Sequence, residues 1–290
     1  MTPTFVDRGH VARRFARVAG RYGQGDFLVR EIDHRMLGRL DYVKLEPQRI
    51  LDLGCSEGAS FAPLTERYPE AHLIGLDLVP AMLQASRPVR PAWQRLLGLG
   101  KAVPSALAAD ASKLPLQSTS IGLVWSNLLL HWLNDPLPAF AEIGRVLEVG
   151  GLLMFSTFGP DTLKELRAAF GDNAPHTQRF ADMHDLGDML VESGFSDPVM
   201  DMEVITLTYD DLDAMLAELR ASGSSCAMHE RPRGMAGRET WARMREAYEG
   251  MRRDGKLPAT FEVIYGHAWK AAPRRAADGR AIIRFDALKK

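Results

Sequence analysis

The chain has 290 residues, 46% hydrophobic and 25% charged, a balance that excludes wholesale disorder, collagen-like repeats and a highly charged tail. No apolar run reaches the ~18 residues of a membrane span, and two cysteines, Cys55 and Cys226, are too few for a disulfide framework. The net charge of -1 hides an asymmetry: residues 1–49 carry ten Lys/Arg against six Asp/Glu, residues 229–290 fifteen against eight, and the centre eleven against twenty-three. Basic ends around an acidic centre offer two readings, docking of an acidic partner or plain solvation of helix faces. A soluble, cytoplasmic protein with no nucleic-acid or membrane partner is expected.

Near the start, Arg8, Arg13, Arg14, Arg17 and Arg21 imitate a transit peptide, but Val11, Phe15, Val18 and Tyr22 recur at helical spacing. Residues 1–48 therefore read as a helical segment of the mature protein. Ile50 to Leu53 is a short buried strand ending in Gly54-Cys55-Ser56-Glu57-Gly58, and a helix follows with Phe61, Leu64 and Tyr68 on one face. His72 to Asp77 is the next strand, Pro80 to Ser86 a helix, and Ser105 to Ala108 and Ile121 to Ser126 two further strands. Pro138 to Leu147 reads as a helix closed at Gly150-Gly151, before a strand over Leu152 to Thr157. This alternation predicts an α/β fold with a Rossmann-like, doubly wound parallel sheet.

Beyond residue 158 the rhythm changes. Asp161 to Phe170 and Asp185 to Ser193 read as helices and Val199 to Thr208 as a strand. Asp210 or Asp211 is placed to cap a helix bearing Leu212, Met215, Leu216 and Leu219. A basic loop, Arg231 to Arg238, precedes a helix with Trp241, Met244, Tyr248 and Met251 in one stripe. Phe261, Val263, Tyr265, His267 and Trp269 alternate as in a strand. The expected organisation is one α/β unit over 49–290 with a small helical cap inserted at about 210–257. Ala271 to Gly279 reads as a loop.

The turn Leu51 to Gly58 carries most of the functional information. In doubly wound sheets ligands sit at the carboxyl ends of the strands, glycines let them approach the backbone, and an acid about 20 residues on meets a ribose. Asp77 stands nineteen residues after Gly58, at the end of its strand. That constellation points to a nucleoside-containing cofactor. Position 56, however, is Ser where a dinucleotide fingerprint has Gly. The same turn also fits G-x-S-x-G, the nucleophile elbow of serine hydrolases, with Ser56 attacking, Asp110 or Asp135 orienting and His131 or His267 as base. Against this, the elbow would follow a first strand rather than several, and Asp77 would have no role. The eight histidines form no H-x-x-x-H or Cys/His cluster, so no metal site is expected.

In order and spacing, Asp52, Gly54, Gly58, Asp77, Asp110 and Ser126-Asn127 resemble the Class I S-adenosyl-L-methionine (SAM)-dependent methyltransferases. Arg13-Arg14-Phe15 with Ala19 and Tyr22, the stretch Leu128 to Trp132 through Phe158 to Leu163, and Pro258 to Trp269 narrow the likeness. Together they resemble the BioC-type malonyl-[acyl-carrier protein] O-methyltransferases of biotin synthesis. A mitochondrial complex I assembly protein, an arginine hydroxylase, shares some of these segments, and a SAM-binding assembly factor is the non-enzymatic alternative. The resemblance implies SAM contacts from Tyr22, Asp52, Gly54, Cys55, Gly58, Asp77, Leu78, Asp110, Ala111, Asn127 and Leu128, with the N-terminal segment folded over the cofactor. It implies a malonyl-acyl carrier protein, or malonyl-CoA, as partner, docked by Arg13, Arg14, Arg17 and Arg21 or by Arg231, Arg233 and Arg238. His131, Trp132, Arg167 and His267 are the candidates for holding substrate, with Tyr22 and His131 as positioning groups. A carboxylate is already anionic at pH 7, so its methylation requires no catalytic base.

Overall fold

Strand formation follows the short apolar runs. β1 (Arg49–Leu53), β2 (His72–Asp77), β3 (Ser105–Ala108), β4 (Ile121–Asn127), β5 (Leu147–Phe158), β6 (Phe195–Tyr209) and β7 (Leu257–Lys270) form one sheet in the order β3-β2-β1-β4-β5-β7-β6. The computed structural model describes residues 5–86, 104–234 and 237–272. Most of the loop expected at Ala271 to Gly279 thus lies outside the described residues. β1 to β5 pair in parallel, whereas β7 runs antiparallel to both β5 and β6. Strand order reverses between β1 and β4, which opens a crevice at their carboxyl ends.

Nine helices among the described residues flank the sheet: α1 (Arg8–Val18), α2 (Phe27–Arg39), α3 (Phe61–Arg67), α4 (Pro80–Ala85), α5 (Leu137–Val146), α6 (Lys164–Phe170), α7 (Met183–Glu192), α8 (Leu212–Ala221) and α9 (Arg238–Glu249). One core packs Ile32 and Met36 of α2, Leu64, Trp125, Met215 and Tyr248 on one sheet face. The other packs Phe140 and Ile143 of α5, Leu190 of α7 and Phe155 on the opposite face. α8 and α9 fall between β6 and β7. Asp211 is the residue that caps α8, its Oδ1 accepting from the Ala214 N–H at 2.8 Å.

Three expectations are corrected. Tyr22 does not continue the first helix, because α1 stops at Val18 and Gly20 turns at φ 81°, so Tyr22 sits in a separate 3-10 turn, Tyr22–Gln24. Gly150 and Gly151 do not close α5. Strand β5 begins at Leu147, and its register against β4 shifts between Ile121 and Leu123, so the glycines serve the resulting bulge. The helix expected from Asp161 begins at Lys164, since Leu163 stands at φ 55°, in the left-handed region. The strand expected over Phe261 to Trp269 is β7, and it is buried on both faces because it lies between β5 and β6; Ile264 and Ala268 are as buried as Val263 and Tyr265.

The N-terminal segment is tied to the sheet by polar bonds. Asp33 on α2, only 4% exposed, accepts from the Ser60 hydroxyl at 2.8 Å and the Trp125 indole N–H at 2.9 Å. The Asn127 amide donates to the Val29 carbonyl at 2.9 Å. Ahead of α1, Val6 bridges antiparallel to Met228. Residues 5–8 and 227–231 are therefore neighbours, although more than two hundred positions separate them.

Candidate active site

A cavity of about 250 Å³ opens at the carboxyl ends of β1, β2 and β4. Its floor is the turn after β1, where the N–H groups of Gly54 and Cys55 donate to the Leu76 carbonyl at 2.7 and 3.1 Å. Gly54 and Gly58 stand at φ 79° and 77°, which explains glycine at both positions. Ser56 is also left-handed, at φ 47°, a conformation that costs a non-glycine residue roughly 1–2 kcal/mol. Its N–H offsets that cost by donating to Asp77 Oδ2 at 3.0 Å, while Asp77 Oδ1 accepts from the Val79 N–H at 2.8 Å. Burial pushes the Asp77 carboxyl up, and these N–H donors oppose the rise.

Asp52 lies beside it, 2% exposed, lining the cavity. Its Oδ2 has no hydrogen-bond partner. Burial, and then the charges of Asp33 and Asp77, raise its carboxyl well above the ordinary value. Two cavity acids, Asp52 and Asp77, with Asp33 behind them and no salt bridge to any of the three among the described residues, form a site that a positively charged ligand would relieve.

The N-terminal segment covers one side of this cavity. Glu57, on the turn, accepts from the Gly20 N–H at 2.5 Å and the Gly23 N–H at 3.3 Å. Tyr22 and Phe15 line the cavity beside Trp132, and the Phe15 and Trp132 rings meet edge-on at 5.4 Å. His131 is packed among Trp132, Phe158 and Phe180, with Nδ1 3.3 Å from the Thr157 hydroxyl. Burial lowers its pKa to about 3, so the imidazole is neutral at physiological pH.

Residues 51–155 match the methyltransferase domain family. The malonyl-[acyl-carrier protein] O-methyltransferase of Gallionella capsiferriformans is 50% identical over 286 residues, 98% of each chain. That of Laribacter hongkongensis is 49% identical over 291 residues, again 98% of each. The chain belongs to the malonyl-[acyl-carrier protein] O-methyltransferase family. Among solved structures, the YcgJ protein of Bacillus subtilis aligns with a TM-score of 0.56 at 15% identity, covering 83% of this chain and 100% of that one, a likeness of fold.

For this methyltransferase the candidate residues divide in two. Tyr22, Asp52, Gly54, Cys55, Asp77, Leu78, Ala111, Asn127, Leu128, His131 and Trp132 all face the cavity. Gly58, Asp110, Arg167 and His267 do not. Gly58 shapes the turn, donating to the Cys55 carbonyl at 2.7 Å, and a Cβ there would meet the Phe61 ring at 2.5 Å. Arg8 of α1 holds Asp110 at 2.6 Å. Burial pushes the Asp110 carboxyl up, but the Ser112 N–H and hydroxyl and Arg8 outweigh it and keep Asp110 ionised. Arg167 donates to the carbonyls of Pro160 and Thr162, pinning its own loop. His267 lies within β7, opposite Met154 and Val199.

The cations that do line the cavity, Arg8 and Arg30, are paired with Asp110 and Asp26. Sequence reasoning missed Arg8, Glu57 and Asp33. Their roles depend on contacts across 102, 37 and 92 positions, which no local pattern signals.

The site suits SAM on an observation of its own. That molecule bears an ammonium and a sulfonium, and the cavity presents the unpartnered Asp52 oxygen and the Asp77 carboxylate to it. The serine-hydrolase reading is set aside, because the family is that of a methyltransferase and the Ser56 backbone serves Asp77.

Proposed function

We propose that this enzyme methylates the free carboxylate of a malonyl thioester carried on acyl carrier protein, using SAM, at an early step of biotin synthesis. The observation that carries this is the acid-lined cavity at the β1 turn in a chain half identical, end to end, to malonyl-[acyl-carrier protein] O-methyltransferases. SAM supplies an electrophilic methyl group on a positively charged sulfur. When SAM is bound, Asp77 would accept from the ribose hydroxyls through the lone pairs left free by Ser56 and Val79, and Asp52 would accept from the ammonium. Leu78, Ala111 and Leu128 give the adenine apolar contact, and Arg8 closes the Asp110 side.

The malonyl carboxylate is the nucleophile. One of its oxygens forms the new bond to the methyl carbon as the carbon–sulfur bond breaks, and S-adenosylhomocysteine leaves. With a pKa of ~4 the acid has already lost its proton at pH 7, so no side chain acts as base. A neutral His131 positions the oxygen by donating a hydrogen bond, with Tyr22 as a second donor lining the same cavity. Phe15, Trp132 and Phe158 exclude water, which would otherwise solvate the carboxylate and blunt its reactivity. Arg8 and Arg30 are engaged by acids, so the carboxylate is held by neutral donors and remains a bare, reactive anion.

Residues 1–48 act as the cover of the cofactor site and the insertion at 210–257 as a cap. Carrier protein is favoured over malonyl-CoA by the family's name, and the two free cysteines accord with a cytoplasmic setting. The test is methyl transfer from labelled SAM to malonyl-acyl carrier protein. Label recovered in a base-labile ester supports the reading; label absent from the carrier, or stable to base, defeats it.

A further inference from the structure

Two groups of arginines lie far apart in the chain, on α1 and on α8 with the segment that follows it. The fold merges them. The Asp7 N–H donates to the Ala227 carbonyl at 2.8 Å, the His229 N–H to the Phe5 carbonyl at 2.7 Å, and Arg231 pairs with Asp7 at 3.4 Å. Arg14 donates to the Ser225 hydroxyl at 2.5 Å. This brings Arg14 and Arg17 of α1 together with Arg220 and Arg231.

Arg14 is half-buried, and its neighbours are of the wrong sign. Burial disfavours its charged form most; Cys226 opposes this, and the positive charges of Arg17, Arg231 and Arg220 add to it. Among the described residues, Arg14, Arg17 and Arg220 form no ion pair, whereas Arg231 spends its charge on Asp7. A desolvated guanidinium is costly unless an anion meets it. Here the fold supplies a hydroxyl and three like charges instead.

The position is informative too. Val11 and Phe15 flank Arg14 on α1, and Ser224 adjoins its partner Ser225. All three of those neighbours line the reaction cavity. Arg14 does not itself line the cavity, but it adjoins cavity-lining residues on both α1 and the segment after α8.

We propose that Arg14 and Ser225, with Arg17 and Arg220 around them, form an anion site for the phosphodiester of the arm that delivers the malonyl thioester. This rests on the carrier-bound substrate named above and adds the recognition of its phosphate. A planar guanidinium matches two phosphate oxygens at once, and the seryl hydroxyl can donate to a third. The phosphate is favoured over carrier carboxylates as the occupant of Arg14 because this side chain is half-buried next to cavity-lining residues, while Arg17 and Arg220 are exposed.

The test compares malonyl-pantetheine with its 4′-phosphate as substrates of the full-length enzyme. The wild type should show a markedly lower KM for the phosphorylated thioester. Arg14→Ala should raise that KM roughly tenfold or more, as expected for loss of a charge-assisted pair, with kcat, the KM for unphosphorylated malonyl-pantetheine and SAM affinity unchanged. Arg220→Glu, at an exposed position, provides a second variant that leaves packing intact and should raise the same KM. Equal wild-type KM values for the two thioesters, or an Arg14→Ala effect that is the same on both, would overturn the site. Calorimetry with pantetheine 4′-phosphate alone separates this inference from the proposed function. Binding that the wild type shows and Arg14→Ala loses supports the anion site even if no thioester is methylated. No wild-type binding overturns it even if methylation succeeds.

Discussion

The backbone N–H of Ser56 donates to Asp77 across twenty-one positions of sequence, joining the turn after β1 to the end of β2. One carboxylate thereby holds the turn in a left-handed shape and, in the proposed function, offers its remaining lone pairs to a sugar. Asp77→Ala removes both functions. Loss of charge-assisted bonds of this kind costs roughly 1.5–3 kcal/mol, so SAM affinity should fall about ten- to a hundredfold, measured by calorimetry. An unchanged Kd would show that Asp77 is only a turn clamp.

Asp52 ties ligand affinity to pH. Its carboxyl is raised by burial and by Asp33 and Asp77, so the ligand-free native state keeps a proton that the unfolded chain gives up above pH ~4. The unfolded state then binds fewer protons, and stability of the free protein declines as pH rises through that window. A cationic ligand reverses the balance, and SAM affinity should rise with pH over the same range. Asp52→Asn should raise the Tm of the free protein at pH 7 while weakening SAM binding by about tenfold or more. Thermal denaturation with and without SAM reads both effects, and a lower Tm with unchanged affinity would contradict the assignment.

His131 should affect turnover and not its dependence on pH. The unfolded chain's histidine titrates near 6.5 and the native one near 3, so protonation favours unfolding as pH drops below the unfolded value. Between pH 6 and 9 this imidazole stays neutral. His131→Ala should lower kcat with SAM affinity spared, and the wild-type kcat should show no inflection from this group near pH 6.5. An inflection abolished by the substitution would mean that the imidazole titrates in the working enzyme.

Glu57 fastens the N-terminal segment over the cavity through two N–H bonds. A neutral acceptor weakens both, so Glu57→Gln should speed SAM release several-fold, each bond being worth about 1 kcal/mol. Stopped-flow dissociation measures this. Hydrogen exchange at Gly20 and Gly23 should quicken in parallel, and an unaltered release rate would argue that the segment does not gate the cofactor.

Ser56→Gly tests the strain at the turn. Glycine removes a left-handed cost of about 1–2 kcal/mol and adds unfolded-state freedom of about 0.4–1 kcal/mol. The variant should therefore be at least as stable as the wild type by chemical denaturation and should retain methyl transfer. Marked destabilisation would mean that the Ser56 hydroxyl contributes more than its backbone.

Much of this was legible along the chain, for reasons that differ by region. The parallel strands announced themselves because a strand covered on both faces must be predominantly apolar, as Ile50 to Leu53 and Ile121 to Ser126 are apart from Asp52 and Ser126. Asp77 was legible because it stands at a strand end a fixed interval after the glycine turn. Arg167 and His267 were misplaced because their residue types suited the chemistry while their elements turned elsewhere: one pins its own loop and the other lies within the last strand. Arg8 and Glu57 escaped notice since an arginine or a glutamate on a helix or turn carries no local mark of what it meets.

By itself the sequence determined the alternation of strands and helices and the cofactor turn, because periodicity and turn chemistry act over a few residues. Only the tertiary structure decided which acid oxygen remains unpartnered in the cavity, which cations are paired with other acids, and that arginines from α1 and α8 come together. Those outcomes depend on charge compensation and desolvation, which are set by neighbours in space and hence by the packing of segments as distant as Asp7 and Arg231.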